Sequence, residues 1–285
     1  MISSSQNPKI KLARALTGRP KERHETEAFL AEGVRLVEEA FAANWPFRFV
    51  LVSDELSERG KELIRKLEDK KIDVEKVESG LLQSLSKTET SQGILAILND
   101  SPLPILQSPN FILIPDSIRD PGNLGTLLRT ADAASVQAVL IPPETTDAFA
   151  PKVVRAGMGA HFRLPIQSMS WNEISEFVSA PNLTKQDESN RRDSAFSTEK
   201  SNSSDATHTW LNIFLADMNG QSCWKTDFLQ PLALIVGGEA EGASEQAHKL
   251  ATASVKIPMS GKTESLNAAV AGSVLMFEVM RQRKI

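Results

Sequence analysis

Residues 111–141 read FILIPDSIRDPGNLGTLLRTADAASVQAVLI. The runs FILIPD and AVLI are short and apolar, and from about Asn123 to Ala134 the apolar residues return every three or four positions. This is strand, helix, strand, the order that parallel strands require. Downstream the alternation continues with a helix at about 151–159, the strand RLPI at 163–166, and a helix from about Trp171. Strands at 213–217 (IFLAD) and 232–236 (LALIV) follow, then a short helix, the strand VKIP at 255–258, and a closing helix from Leu266. Apolar strand runs separated by helices predict an α/β domain whose mostly parallel sheet is covered on both faces. Such sheets bind ligands at the loops beyond the carboxyl ends of their strands.

Upstream, residues 7–99 alternate in the same way over a shorter span. Helical spacing is found at 9–16, 34–43 and 57–70, and strands at 47–52 (FRFVLV) and 93–98 (GILAIL). The chain therefore divides into a small α/β domain at 1–100, a proline-bearing linker at 101–110, and the parallel-sheet domain at 111–285. Residues 181–209 interrupt the second domain with Ser, Asn, Asp, Lys and Thr and almost no aliphatic side chains, and are expected to be a disordered insertion.

The net charge of -4 argues against a protein that coats nucleic acid through bulk positive charge. Local charge differs: Lys9, Lys11, Arg14, Arg19, Lys21 and Arg23 face only Glu22 and form a candidate RNA-binding patch. The single cysteine, Cys223, and four scattered histidines offer no metal-ligand set, so no metal is expected. Neither a leader-like segment nor a run of about eighteen apolar residues is present, and the chain reads as cytoplasmic, with no membrane partner.

Three loops fall at strand ends: DSIRDPGNLG from Asp116, VGGEAEG from Val236, and IPMSGKTESLN from Ile257. Two nucleotide signatures fail within them. Gly261-Lys262-Thr263 resembles the end of a phosphate-binding loop, but the required first glycine falls on Lys256. Gly237, Gly238 and Gly242 miss the dinucleotide spacing because Glu239 stands in the second glycine's place, where a carboxylate would repel a pyrophosphate. Taken singly, Asn123 and Ser265 read as helix N-caps and Arg129 as a partner in a surface salt bridge. The closing helix is apolar on two sides, with Leu266, Ala269, Val270, Val274 and Phe277 on one and Ala268, Ala271, Leu275, Met276 and Val279 on the other. A helix of that kind is expected to serve a subunit interface as well as the core.

The combination is more specific than its parts. Asn123-x-Gly125-x-x-x-Arg129-Thr130, then Gly237-x-Glu239-x-x-Gly242, then Ile257-Pro258-Met259-x-Gly261-x-x-x-Ser265-Leu266-Asn267 resembles, in order and spacing, the three motifs of SpoU-type (TrmH-like) 2′-O-ribose methyltransferases of the SPOUT class. The resemblance spans 111–283 apart from the insertion. Asn7-Pro8-Lys9 and Phe29-Leu30-Ala31-Glu32-Gly33 are similar to the substrate-binding domain of ribosomal-RNA members. Two departures stand at Ala240, where the family often has Gly, and at Ala268-Ala269, where it often has a β-branched or Ser pair; both keep the residues small.

The resemblance implies a trefoil knot in the second domain, an exception to the rule that chains do not thread their own loops. It implies a homodimer, and S-adenosylmethionine as the methyl donor. Gly237, Gly238, Ile257, Met259 and Leu266 would form the donor pocket. Arg129, contributed across the dimer interface, would act on the ribose hydroxyl as base or as electrostatic activator, with Asn123, Glu239, Ser265 and Asn267 holding the loops and the target in register. The separate N-terminal domain favours 23S ribosomal RNA as the substrate. A transfer-RNA 2′-O-methyltransferase and a non-catalytic RNA-binding dimer in ribosome assembly are the alternatives.

Overall fold

The computed structural model describes residues 1–18, 20–86, 92–179, 211–239, 242–261, 263 and 265–284. The expected insertion at 181–209, Arg19 and Ala240 lie outside these residues.

The first sheet is built from β1 (Ala28–Glu32), β2 (Phe47–Val52), β3 (Val74–Lys76) and β4 (Ile94–Asn99) in the order β1-β4-β2-β3. β4 lies antiparallel to both β1 and β2, whereas β2 and β3 are parallel. Helices α1 (Pro8–Leu16), α2 (Pro20–Thr26), α3 (Val34–Ala42), α4 (Glu58–Asp69) and α5 (Ser79–Gln83) surround it. The strand period of two divides its core. Phe29, Ala31, Val50 and Val52 enter one cluster, while Ala28, Leu30, Phe49 and Leu51 enter the other. The Asn7-Pro8-Lys9 start is a helix start: the Asn7 side chain accepts from the Lys9 N–H at 2.9 Å and Pro8 occupies the first turn.

The second sheet contains β5 (Phe111–Asp116), β6 (Ala138–Ile141), β7 (Ile166–Ser168), β8 (Asn212–Ser222), β9 (Leu232–Gly237) and β10 (Ala253–Lys256) in the order β10-β8-β9-β5-β6-β7. Every described pairing in it is parallel. All six residues of β5 are buried. Phe111 and Leu113 face the cluster under α6 (Pro121–Ala133), and Ile112 and Ile114 face the opposite one, under α8 (Trp171–Ser179). This is the covered sheet that the uninterrupted apolar runs require. Helix α7 (Pro151–Gly157) packs on α6, α9 (Glu245–Leu250) follows β9, and α10 (Ala268–Arg283) closes the chain. The helix expected from Leu266 begins two residues later, at Ala268.

The two sheets share a seam. Phe29 of β1 packs at a tilt against Phe149, 5.0 Å between ring centroids, and Trp45 against Phe162 at 5.3 Å. Val154 of α7 and Phe162 are members of the first sheet's core cluster. Three ion pairs surround the rings: Arg23 with Asp147 at 2.6 Å, Arg163 with Glu39 at 2.6 Å, and Arg155 with Glu32 at 3.4 Å.

Candidate active site

Three of the strands that carry the motifs end on the same edge of the second sheet, because parallel strands deliver their carboxyl ends together. Asp116 of β5 is in register with Gly237 of β9, so the loops after them leave side by side. The loop after β5 turns into α6 through Asp120, whose side chain accepts from the Asn123 N–H at 2.9 Å, with Pro121 in the first turn. That hydrogen bond, with Lys152 at 3.5 Å, holds the Asp120 carboxyl below the usual carboxylate range. Asn123, read alone as the cap, is displaced from that duty by Asp120, and its own side chain is released for another.

The side-chain amide of Asn123 donates to Glu239 Oε1 in the loop after β9. Asn267, at the end of the third loop, donates from Nδ2 to the same Glu239 oxygen at 2.7 Å and to Asn123 Oδ1 at 3.1 Å. Its Oδ1 accepts from the Val270 N–H at 3.1 Å and caps α10. The cap expected at Ser265 therefore belongs to Asn267, because α10 begins after it. One carboxylate and two amides thus close a triangle that ties together the three loops. An amide nitrogen has two hydrogens and a carboxylate only acceptors, so this set of partners is satisfied without a proton in dispute.

Two glycines set the spacing around the triangle. A Cβ on Gly238 would lie 2.4 Å from the Ser117 carbonyl oxygen, so no side chain fits between the first and second loops. On Gly125 it would lie 2.4 Å from Ala156 Cβ and 2.8 Å from the Val153 carbonyl oxygen, which is how closely α6 approaches α7.

A cleft of about 1150 Å³ opens beside the triangle. Gly237, Gly238, Ile257, Met259 and Leu266, the five expected donor-binding residues, all line it, as do Glu239, Ser265 and Asn267. A smaller recess of about 90 Å³ on the other side of Gly238 and Glu239 is lined by Ser117, Arg119, Asp120 and Asn123. Asp217, Met218, Asn219, His248 and Lys256 also line the large cleft and were not singled out from sequence. Asp217 closes the run IFLAD, so the rule that ligands sit beyond strand ends would have found it. The structure does not bring Arg129 to either cavity of its own chain. It is exposed on α6, and its side chain has no hydrogen bond or ion pair to any described residue, so the salt bridge expected of it alone is absent there.

The basic patch needs a correction. Arg23 is 5% exposed, donates to the carbonyls of Leu16 and Gly18 and pairs with Asp147, so it belongs to the seam and not to an RNA-facing surface. Lys9 is held by Asp73 at 2.5 Å and Glu75 at 2.9 Å, and Lys21 lies 3.6 Å from Glu25. Lys11 and Arg14 are exposed on α1 without a side-chain partner among the described residues. Among those residues no group of three or more His, Cys, Asp or Glu is placed to hold a metal ion, and no helix is long and apolar enough to cross a membrane.

Comparison with known proteins gives the family. Residues 110–277 match the SpoU rRNA methylase family, and residues 7–96 match an MRM3-like substrate-binding domain. Over 98% of both chains, the sequence is 30% identical to the 23S rRNA (guanosine(2553)-2′-O)-methyltransferase RlmP of Bacillus subtilis strain 168. The SpoU methyltransferase AviRb of Streptomyces viridochromogenes, solved in complex with AdoMet, is similar with a TM-score of 0.79 and 27% identity, covering 98% of this chain and 99% of that one. The AdoMet-bound rRNA methyltransferase of Sinorhizobium meliloti gives 0.77 and 26%, over 98% and 97%. With family matches across both sheets and the motif residues gathered at one edge of the second, this chain belongs to the SpoU rRNA methylase family.

Proposed function

We propose that this protein transfers a methyl group from S-adenosylmethionine to a ribose 2′-hydroxyl of 23S ribosomal RNA and works as a homodimer. The observation that carries the reading is the Asn123–Glu239–Asn267 triangle at the edge of a cleft lined by all five expected donor-binding residues. The cleft suits the donor: it combines loop backbone at Gly237 and Gly238 with the side chains of Ile257, Met259 and Leu266, as a ligand with a flat aromatic ring, hydrogen-bonding edges and polar ends requires. When bound, S-adenosylmethionine supplies an electrophilic methyl group.

The chain's own residues do the rest. Backbone groups of Gly237, Ile257 and Leu266 hold the adenosine end, and Met259 covers it. Glu239, fixed by two amides, keeps the loops in one register, and Ser265 and Asn267 bound the place where the ribose enters. Arg129 acts on the 2′-oxygen. An arginine stays protonated, so the role its charge permits is to stabilise the alkoxide that develops as the proton departs to water. Because Arg129 is outside its own chain's cleft, it serves the cleft of a second copy. Leu266, Val270 and Phe277 leave an apolar strip exposed beside it, Val270 at 49% and Phe277 at 44%, which a second copy would cover. The N-terminal domain, with Lys11 and Arg14 exposed on α1, receives the RNA.

The test is transfer of labelled methyl from S-adenosylmethionine to unmodified ribosomal RNA, followed by mapping of the product. One 2′-O-methylated ribose in 23S RNA is expected. Transfer to transfer RNA alone would move the substrate assignment, and no transfer to any RNA would overturn the reading.

A further inference from the structure

We propose that Asp116 is a positioning residue for methyl transfer, acting through the base of the loop that carries Glu239. The proposal rests on the functional reading above. Asp116 is the last residue of β5 and is 1% exposed. Its Oδ2 accepts from the Ser244 N–H at 2.6 Å, and its Oδ1 accepts from the Ser117 hydroxyl at 3.1 Å. No cation among the described residues pairs with it. Burying this carboxyl group costs desolvation that its two hydrogen bonds offset, so it adds little net stability. What it contributes here is geometry: two fixed acceptors that pin the end of one loop to the start of another.

The pinned segment is short. Gly238 and Gly242 pair with each other as an isolated antiparallel bridge, and Glu239 directly follows the first of them. A Cβ on Gly237 would lie 2.6 Å from the Ala243 N, and one on Gly238 would lie 2.4 Å from the Ser117 carbonyl oxygen. The loop is thus folded flat against its own return and against the loop after β5. Asp116 ties that stack to β5 through the Ser244 N–H. Without its carboxyl group the return strand loses its tie to β5, and the loop moves relative to Asn123 and Asn267. Glu239 then leaves the triangle, and the donor cleft loses one wall.

Two kinds of variant test this in the full-length protein. Asp116→Ala leaves the Ser244 N–H without its acceptor. Asp116→Asn keeps an oxygen for that N–H and an amide that can donate to the Ser117 hydroxyl. Ser244→Pro removes the N–H while Asp116 stays, together with the hydroxyl that caps α9 by accepting from the Ala247 N–H, and the Ser244 φ of -67° lies within proline's range. Val178→Ala, in the core on α8, serves as a control for lost stability alone. The readings are S-adenosylhomocysteine affinity by calorimetry, single-turnover methyl transfer at saturating donor, RNA affinity and melting temperature.

Asp116→Ala and Ser244→Pro are expected to weaken S-adenosylhomocysteine binding on the order of tenfold and to slow transfer even at saturating donor, with RNA affinity unchanged. Asp116→Asn should recover most of both losses, and Val178→Ala should lower the melting temperature without touching either. A folded Asp116→Ala protein with wild-type donor affinity and rate would overturn the proposal, as would equal losses in the Ala and Asn variants. If Asp116→Ala does not fold, wild-type donor affinity in Ser244→Pro overturns it. Failure of the wild type to bind donor would instead overturn the functional reading, and this proposal with it.

Discussion

Replacing Asn267 by aspartate separates the two duties of that side chain. As the N-cap of α10 it accepts from the Val270 N–H, and an aspartate would do so equally well, gaining a few tenths of a kcal/mol from the helix dipole. As a corner of the triangle it donates from Nδ2 to Glu239 Oε1 at 2.7 Å, and there the new oxygen would face a carboxylate. Two like charges at 2.7 Å repel by about 1.5 kcal/mol in water and about 6 kcal/mol at an effective dielectric of about 20. Both groups are exposed, so the lower figure is the better guide, and Glu239 relieves it by swinging out of the triangle. With the repulsion so relieved, the global stability loss is about 1–2 kcal/mol, that of two hydrogen bonds less the gain at the cap. The functional loss is expected to be larger, on the order of 10²-fold in single-turnover methyl transfer, because the loops lose their common register. Asn267→Ser, which caps without repelling, should lie between wild type and Asn267→Asp in rate and match wild type in the stability of α10. Chemical denaturation and single-turnover kinetics on the same preparations give both numbers. Wild-type turnover in Asn267→Asp would refute the idea that the triangle governs the site.

Arg129→Ala should fold, bind donor and keep its stability within about 0.5 kcal/mol, since the side chain has no described partner, yet lose transfer by about 10²-fold or more, and Arg129→Lys should not restore it. Arg23→Met leaves Asp147 without a cation in the seam and is expected to cost about 3 kcal/mol or more by urea unfolding, a loss below about 1 kcal/mol arguing that the pair is idle. His161 is fully buried, and burial pushes its pKa down to about 4 against the hydrogen bond between its Nε2–H and the Ala148 carbonyl. The unfolded state therefore binds more protons between about pH 6.5 and about pH 4, so about 3 kcal/mol of stability present above that window is lost as pH falls through it, and His161→Gln should flatten the slope. Phe277→Asp should convert a sedimenting dimer to a monomer that still melts near the wild-type temperature, because Phe277 is 44% exposed in one chain.

Periodicity made the second sheet legible. The runs at Phe111–Asp116 and Leu232–Gly237 have nowhere to put a polar face, and the structure buries every residue of the first and all but the last of the second. The first domain was read less fully, since β1, α2, β3 and α5 went unassigned. Ala28–Glu32 entered only as part of a family motif; its apolar side chains are buried on both faces of the strand, so no polar alternation marks it, and Phe29 meets Phe149 at the seam. Local spacing also misassigned duties that depend on contacts through space. Asp120 and Asn123 are both good caps, and only the position of Glu239, 116 residues away in sequence, decides which of them is free to leave the helix end. Arg23 sits among cations in the sequence and beside Asp147 in the fold, a pairing across the seam that charge counting along the chain cannot reveal.

The placement of α6 links these observations. Leu124, Leu127, Leu128 and Ala131 fix one side of it in the sheet core. Gly125 admits α7, Thr130 Oγ1 meets Ser273 Oγ of α10 at 2.9 Å, and Asp132 holds Arg163, which in turn pairs with Glu39 of the first domain. Only the strip with Thr126 and Arg129 points outward. Arg129 is six residues beyond Asn123, about 9 Å along the axis, and to bring it to its own triangle would require breaking contacts with the sheet, α7 and α10 at once. A helix anchored on three sides does not turn for one side chain. The arginine can enter chemistry only if the chemistry is brought to it, and the exposed Val270 and Phe277 on the neighbouring helix describe the surface by which a second copy would do so.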